Sequence, residues 1–384
     1  MPEQLPVPDA DALEHTAAVA KALRARIAAD GGWISFADYM RFVLYAPGLG
    51  YYAAGTTKFG TSGDFVTAPE MTRLYGAALA TQVATVIERG GDILELGAGS
   101  GRLACDLMIA LELSNALPRR YTILEPSAEL RERQQRTIAR LAPSLVDRVV
   151  WIETLPATIE GAVVVNEVLD AIPVHVVVRR EAAWHERGVK CAQQGFQWSD
   201  RPLGTSRLLE LANARLPSIE CYETEMNPGA EALVAELGRR LVRGALLIVD
   251  YGFPQHEYYH AERSKGTLVA HYRHRMHADP FLWPGLCDLT AHVDFTAIAE
   301  AGERTGLEVA GFSTQAAFLL GCGILDRLRD VGPVDSVGYI REASAVQKLL
   351  SPAEMGDLFK VLALARGVID RWPGFSIADM RVRL

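Results

Sequence analysis

Cysteine is scarce and unpaired in this 384-residue chain. Cys105, Cys191, Cys221, Cys287 and Cys322 stand apart with no C-x-x-C spacing, so neither a zinc site nor a disulfide framework is indicated. Free thiols in a reducing compartment are the expectation. Long apolar runs are missing as well, and nothing approaches the roughly 18 consecutive apolar residues of a membrane-spanning helix. Positive charge is in deficit, with 39 Lys and Arg against 47 Asp and Glu and a net charge of −8. That balance argues against a general nucleic-acid binder, which would carry a basic face; a cationic protein substrate stays open. The opening Met1-Pro2-Glu3-Gln4 has neither the apolar core of a secretory signal nor the Arg/Ser bias of a transit peptide, so a cytoplasmic protein is expected. No internal repeat or low-complexity segment is visible. What the chain does have is a 49% hydrophobic composition over a length that suggests two or three structural units around a large core.

The most informative stretch is Ile93-Leu94-Glu95-Leu96-Gly97-Ala98-Gly99-Ser100-Gly101, followed by Arg102-Leu103-Ala104-Cys105-Asp106. It reads as a strand, a glycine turn and a helix start, the place where an α/β sheet lets backbone approach a nucleotide-like ligand. A phosphate-cradling P-loop needs Lys followed by Ser or Thr after the last glycine, and Gly101 is followed by Arg102. A dinucleotide fingerprint reads G-x-G-x-x-G, whereas these glycines fall at 97, 99 and 101 behind a glutamate. A carboxylate repels a pyrophosphate but suits an ammonium or sulfonium. The pattern resembles the S-adenosylmethionine turn of Rossmann-like methyltransferases.

Further strand ends carry polar residues. Tyr121-Thr122-Ile123-Leu124 leads to Glu125, 28 residues beyond Gly97, where an acid ending the second strand bonds ribose hydroxyls. Ala162-Val163-Val164-Val165 ends in Asn166-Glu167, and Ala245 to Val249 ends in Asp250-Tyr251-Gly252. Ligands of open α/β sheets bind outside the carboxyl ends of strands, so Glu95, Glu125, Asn166, Glu167 and Tyr251 are expected at one crevice.

The fold class expected is α/β: a Rossmann-like methyltransferase sheet with helices on both faces, an N-terminal helical region and inserted α/β elements. Residues 1–80 are read as a helical cap and cofactor-covering loop. Residues 81–384 are read as the core, with inserts at about 174–230 and 253–294. Helical spacing runs through Leu13, Val19, Leu23 and Ile27 and then Phe36, Tyr39, Met40, Val43 and Leu44. Pro69 suits a first helical position, predicting one helix over Glu70 to Ile87. Leu246 follows Val165 by 81 residues, far more than the dozen or so one crossover needs. Val174 to Val178, Ala183 to Val189 and Gly195 to Trp198 alternate as an antiparallel meander. Helices over Ala230 to Leu241 and Phe295 to Thr305 and a late strand at Leu307 to Phe312 complete the reading.

Five motifs in order, Gly63-Asp64-Phe65-Val66-Thr67-Ala68-Pro69-Glu70, the Glu95 to Gly101 turn, Asn166-Glu167-Val168-Leu169-Asp170-Ala171-Ile172-Pro173, Asp250-Tyr251-Gly252 and Asp288-Leu289-Thr290-Ala291-His292-Val293-Asp294-Phe295, together resemble the MidA-like methyltransferase family. That family includes the mitochondrial assembly-factor methyltransferase of respiratory complex I. The resemblance runs from about Ile34 to Phe318; Ala68 stands where serine is more usual. It implies S-adenosylmethionine as cofactor, held by Phe65, Thr67, Glu70, Glu95, Gly97, Ala98, Gly99, Gly101, Glu125, Asn166 and Glu167. It also implies a protein substrate methylated on arginine, with a respiratory-chain subunit as candidate. Homodimerisation is left open, and neither nucleic acid nor membrane insertion is expected. Small-molecule methylation, and a non-catalytic assembly factor keeping the fold, are the alternatives.

Methyl transfer from a sulfonium mainly requires bringing a nucleophile to about 3–3.5 Å and aligning it. Carboxylates can hold a guanidinium and localise its charge. Glu167 and Asp170, three apart, share a face if a helical turn follows the strand; alternatively Asn166 or Glu167 binds cofactor and Asp170 caps a helix. An extended segment would put Asp288, Thr290, His292 and Asp294 on one side, with His292 accepting a proton and Asp294 orienting it. The other reading makes Asp294 the cap of the next helix. No metal is expected, and His271, His274 and His277 read as a solvated basic loop. Tyr51, Tyr52, Phe65, Tyr251 and Phe253 are cation–π candidates, and the Gly55 to Gly63 loop is a candidate lid.

Overall fold

A computed structural model describes residues 5–53, 67–88, 90–367 and 371–384. The chain divides into two compact units, one formed by residues 66–169, 231–254 and 295–384, the other by residues 1–65, 170–230 and 255–294.

The first unit is built on a sheet whose main strands are β1 (Asp92–Leu96), β2 (Tyr121–Leu124), β3 (Val149–Ile152), β4 (Ile159–Asn166), β5 (Leu241–Phe253), β6 (Glu308–Thr314) and β7 (Phe359–Arg366). Their order is β6-β7-β5-β4-β1-β2-β3. Pairings among β5, β4, β1, β2 and β3 are parallel, and β7 is antiparallel to both β5 and β6. The order reverses direction at β1 and β4, the switch point where such sheets bind ligands. Ala162 to Val165 in β4 and Leu246 to Ile248 in β5 are completely buried, as expected of β-branched and aliphatic runs covered on both faces. Helices Arg73–Ile87 and Arg102–Leu113 pack against each other, their Leu79, Val83, Leu107 and Leu111 joining one core with Ile93 and Val164. Strands β3 and β7 lie outside the sequence expectations; Leu-Ala-Leu-Ala-type runs do not separate strand from buried helix.

One helix was expected from Glu70 to Ile87, and two are found, Ala68–Met71 and Arg73–Ile87. Thr72 breaks them: its backbone is extended, and its hydroxyl accepts the Leu74 N–H at 3.0 Å as the N-cap of the second.

The second unit has its own core. Helix Ala10–Ala29 buries Val19, Leu23 and Ile27, but Leu13, expected on that face, is exposed. Helix Phe36–Tyr45 buries Phe36, Tyr39, Met40, Val43 and Leu44 as its spacing predicts. The meander is present as antiparallel strands His175–Arg180, Ala183–Cys191 and Phe196–Pro202. A smaller sheet pairs Val269–Tyr272 with Arg275–His277 and with Asp288–Thr290. The segment read as a solvated basic loop is therefore a hairpin. His271 lies buried in it, its Nε2 3.2 Å from Thr290 Oγ1. Among the described residues no helix is long and apolar enough to cross a membrane.

Candidate active site

The glycine turn leaves β1 with Gly97 at φ +63°, Gly99 at +52° and Gly101 at +82°, left-handed values that suit glycine. Space also constrains two of them: a Cβ on Gly97 would lie 2.8 Å from Val168 Cγ2, and one on Gly101 3.1 Å from the Gln134 Cα. Gly97 is exposed and Gly99 half-exposed, so the turn offers bare backbone to a ligand. Gly101 then starts helix Arg102–Leu113 without a side-chain cap of its own, and Ser100 Oγ accepts the Arg102 N–H at 3.3 Å.

Glu125 stands just past β2. One carboxylate oxygen accepts the Ser127 N–H at 2.9 Å and the other accepts from Gln134 Nε2 at 3.0 Å. Burial pushes its carboxyl upward and those two hydrogen bonds oppose the shift. The same Gln134 Nε2 reaches the Gly99 carbonyl at 3.2 Å, while its Oε1 accepts Trp151 Nε1–H at 2.9 Å. Gln134 thus ties the turn, the acid and β3 together. It was missed from sequence, although a glutamine between Leu130 and Ile138 at helical i, i+4 spacing is a polar residue in an apolar stripe. A turn that a Cβ would fill, beside a fixed carboxylate acceptor, fits a nucleoside-bearing ligand with vicinal hydroxyls.

Glu95 behaves differently from its expectation. Its side chain is 2% exposed and accepts the Tyr121 hydroxyl at 2.7 Å. Burial raises its pKa to about 7, with the Tyr121 hydrogen bond opposing. The carboxyl is shut in against Tyr121 at the end of β1 rather than open to a ligand's ammonium. Glu70 takes a supporting place at the turn, accepting the Ser100 hydroxyl. Ala98 is buried, and Thr67 is half-buried as the extended residue preceding helix Ala68–Met71. Phe65 and the Gly55 to Gly63 lid lie outside the described residues.

At the end of β4, Asn166 Oδ1 accepts the Tyr75 hydroxyl, and Asn166 Nδ2 donates to Glu167 Oε1 at 3.3 Å. Glu167 Oε1 also accepts the Ala68 N–H at 3.3 Å. Burial, then the charges of Glu167 and Asp250, hold Tyr75 well above the ordinary tyrosine range, so it remains a donor. No helical turn follows: Glu167 sits at φ +53°, a left-handed conformation that is strained for a non-glycine residue and concentrates at functional sites. The shared helical face proposed for Glu167 and Asp170 is therefore corrected. Asp250, wholly buried, accepts the Leu169 N–H and the Tyr251 N–H, each at 2.9 Å. Tyr251, expected at the crevice, instead packs in the core edge-on to Phe359, and Phe253 lies under the Lys360 ammonium.

In the second unit the Asp170 carbonyl accepts the Ala291 N–H at 3.1 Å, bringing Asp170 to the residue before His292. The extended run from Asp288 to Asp294 is interrupted, since Asp288–Thr290 and Val293–Asp294 are strands but Ala291 and His292 are not, so strict alternation through His292 fails. His292 N–H donates to Thr267 Oγ1 at 3.0 Å. That hydroxyl donates to Glu225 Oε2 at 3.1 Å. Glu225, 2% exposed, also accepts the N–H groups of Thr267 and Leu268, an anchor that nothing in its sequence neighbourhood signals. Asp294 is half-buried and directly precedes helix Phe295–Glu303. Among the described residues no group of three or more His, Cys, Asp or Glu is arranged to hold a metal. Burial pushes the Cys105 and Cys322 thiols up to about 12, which leaves both inert at neutral pH.

Comparison with known proteins gives a consistent pattern. The family model for S-adenosyl-L-methionine-dependent methyltransferases matches residues 76–313. The chain is 30% identical over 98% of its length, and 92% of the relative, to the mitochondrial protein arginine methyltransferase NDUFAF7 homolog of Drosophila melanogaster. It is 30% identical over 87% of its length, and 81% of the relative, to the mitochondrial protein arginine methyltransferase NDUFAF7 of Mus musculus. A Burkholderia thailandensis protein crystallised with S-adenosyl-homocysteine is 46% identical, with a TM-score of 0.95 over 99% of this chain and 100% of that one. The curated relatives named here are mitochondrial by name, which differs in part from the cytoplasmic expectation for this chain.

Proposed function

Because this chain belongs to the S-adenosyl-L-methionine-dependent methyltransferase family, we propose that it transfers the methyl group to an arginine side chain of a protein substrate. The observation that carries the acceptor is the 30% identity, over 98% of the chain, to a relative named a protein arginine methyltransferase. When bound, S-adenosylmethionine supplies the methyl on a sulfonium, which leaves as a neutral thioether.

The chain's own residues have the remaining tasks. Gly97, Ala98, Gly99 and Gly101 present backbone to the cofactor, and Glu125 accepts from ribose hydroxyls. Thr67, Glu70, Glu95, Asn166 and Glu167 fix the surrounding edge, Glu95 through its bond to Tyr121. An arginine acceptor keeps its proton at neutral pH, its reference pKa being about 12.5–13.8. Glu167 and Asp170 are proposed to accept guanidinium N–H groups and draw the positive charge toward themselves, leaving one nitrogen to attack. The nitrogen that takes the methyl must give up one proton. His292 is the proposed proton acceptor, with Asp294 orienting it. A respiratory-chain subunit is the proposed class of target, on the resemblance to the complex I assembly-factor methyltransferase.

The test is to incubate the full chain and a cell extract with methyl-labelled S-adenosylmethionine, hydrolyse the protein fraction and separate the amino acids. Label in methylarginine is expected. Label confined to methyl-lysine or to small molecules would overturn the arginine reading.

A further inference from the structure

Thr72 parts two helices, and residues on either side of that break both reach Glu167. From the short helix Ala68–Met71, the Ala68 N–H donates directly to Glu167 Oε1 at 3.3 Å. From helix Arg73–Ile87, begun by the Thr72 cap on the Leu74 N–H, the Tyr75 hydroxyl donates to Asn166 Oδ1, and Asn166 Nδ2 donates to the same Glu167 Oε1 at 3.3 Å. Tyr75 is 1% exposed and Asn166 8%, so this relay runs through the core, whereas Glu167 at its end is half-exposed. The Glu167 backbone is held as well, its N–H donating to the Val249 carbonyl at 2.9 Å with φ at +53°. A left-handed glutamate persists only where its surroundings over-determine it. Burial, then the charges of Glu167 and Asp250, keep the Tyr75 hydroxyl protonated and able to donate.

We propose that Tyr75 is a positioning residue for methyl transfer: its hydroxyl sets the Asn166 amide in the orientation that offers N–H to Glu167, and thereby fixes the Glu167 carboxylate at the carboxyl edge of β4. The inference rests on the reading of Glu167 as a holder of the acceptor, and it gives a share in that task to Tyr75, which has none there. The donors run in one direction only. Turned over, the amide would set Oδ1 against a carboxylate oxygen, acceptor to acceptor, and would leave the Tyr75 proton without its partner. Phenylalanine fills the same space in the core but strips Asn166 Oδ1 of its donor. A buried acceptor in that state drives its side chain to rotate toward another donor, and rotation withdraws the N–H from Glu167. One of the bonds that hold the carboxylate is then lost, and misplacing a group by about 1 Å costs up to about a hundredfold in rate.

The test follows label from methyl-labelled S-adenosylmethionine into the protein fraction of a cell extract, at saturating cofactor and fixed extract, for the full chain as wild type, Tyr75→Phe, Glu167→Gln and the double variant. Tyr75→Phe is expected to transfer about tenfold more slowly, with the apparent KM for S-adenosylmethionine and the S-adenosylhomocysteine affinity within about twofold of wild type. Glu167→Gln should lose at least as much, and adding Tyr75→Phe to it should cost less than about twofold further, because residues that act through one group are not additive. Thr81→Val is the control for lost stability. Thr81, on the same helix as Tyr75, donates to the Cys322 carbonyl at 3.1 Å and accepts from Arg327 at 2.9 Å; its loss should lower the melting temperature and leave the transfer rate within about twofold. The wild-type rate in Tyr75→Phe or in Glu167→Gln, or a further tenfold loss in the double variant, overturns the positioning role. Equal slowing in Thr81→Val, or loss of S-adenosylhomocysteine binding by Tyr75→Phe, overturns it too. Wild-type label in methyl-lysine alone rejects the arginine reading, and the same rates on that product still decide Tyr75. No transfer by wild type overturns both.

Discussion

Gln134→Leu is the substitution that most sharply separates a supported cofactor turn from an ordinary glycine loop. Gln134 is fully buried, and its amide serves Gly99 O, Glu125 Oε2 and Trp151 Nε1 at 3.2, 3.0 and 2.9 Å. Leucine has nearly the same bulk and none of these bonds. Each buried polar partner left unsatisfied costs about 1–3 kcal/mol. Gly99 and Trp151 are half-buried and recover some hydration, so the low end applies to them; Glu125, 5% exposed and carboxylic, takes a middle value. Against this, leucine's added apolar burial returns about 1–2 kcal/mol. The net expectation is a loss of about 2–3 kcal/mol. Urea unfolding followed by far-ultraviolet circular dichroism measures it. Because the turn carbonyl and the acid lose their common tether, S-adenosylhomocysteine affinity by calorimetry should fall about tenfold or more. Stability within about 0.5 kcal/mol of wild type, together with unchanged affinity, would refute the tether.

Two pH dependences follow from buried groups. Glu95 has a folded pKa of about 7 against 4.5 unfolded, so the folded state holds a proton that the unfolded state releases. Stability is lost as pH rises from about 4.5 to 7, by about 3 kcal/mol, and is level above that. Glu95→Gln, neutral and still able to accept from Tyr121, should match wild type near pH 4.5 and melt higher at pH 8; a lower melting temperature at pH 8 would contradict the buried-carboxyl account. His271 runs the other way, its pKa lowered from 6.5 to about 4 by burial and then by nearby His277. The unfolded state takes up a proton that the folded state refuses, so stability is lost as pH falls from about 6.5 to 4, again by about 3 kcal/mol. His271→Asn should shift acid unfolding to lower pH, and an unshifted acid midpoint would sink the assignment.

Much of the sheet was legible because its strands end in chemistry. Runs such as Ala162 to Val165 are too short and too β-branched for helices, and the polar residues that follow them mark the carboxyl edge. The meander was legible from alternation. Local overrides were not. Thr72 splits a helix by capping Leu74, a choice that propensity over the window does not reveal. Glu167 adopts a left-handed backbone where spacing to Asp170 suggested a helical turn, and its bonds to the Ala68 N–H and the Val249 carbonyl come from elements distant in sequence. Glu95 carries the right residue type in the right motif, yet Tyr121, from the neighbouring strand, claims its carboxyl. Charge at a motif position says what a residue can do; burial decides whether it faces the ligand.

The central claim is that the turn after β1 and the acid after β2 hold the cofactor together, and calorimetric titration of wild type and Glu125→Ala with S-adenosylhomocysteine tests it most directly. The account predicts one saturable site per wild-type chain and an affinity at least about tenfold weaker in Glu125→Ala, with the circular dichroism of the two proteins superimposable. Equal affinity in the two proteins, or no heat with wild type, would contradict it.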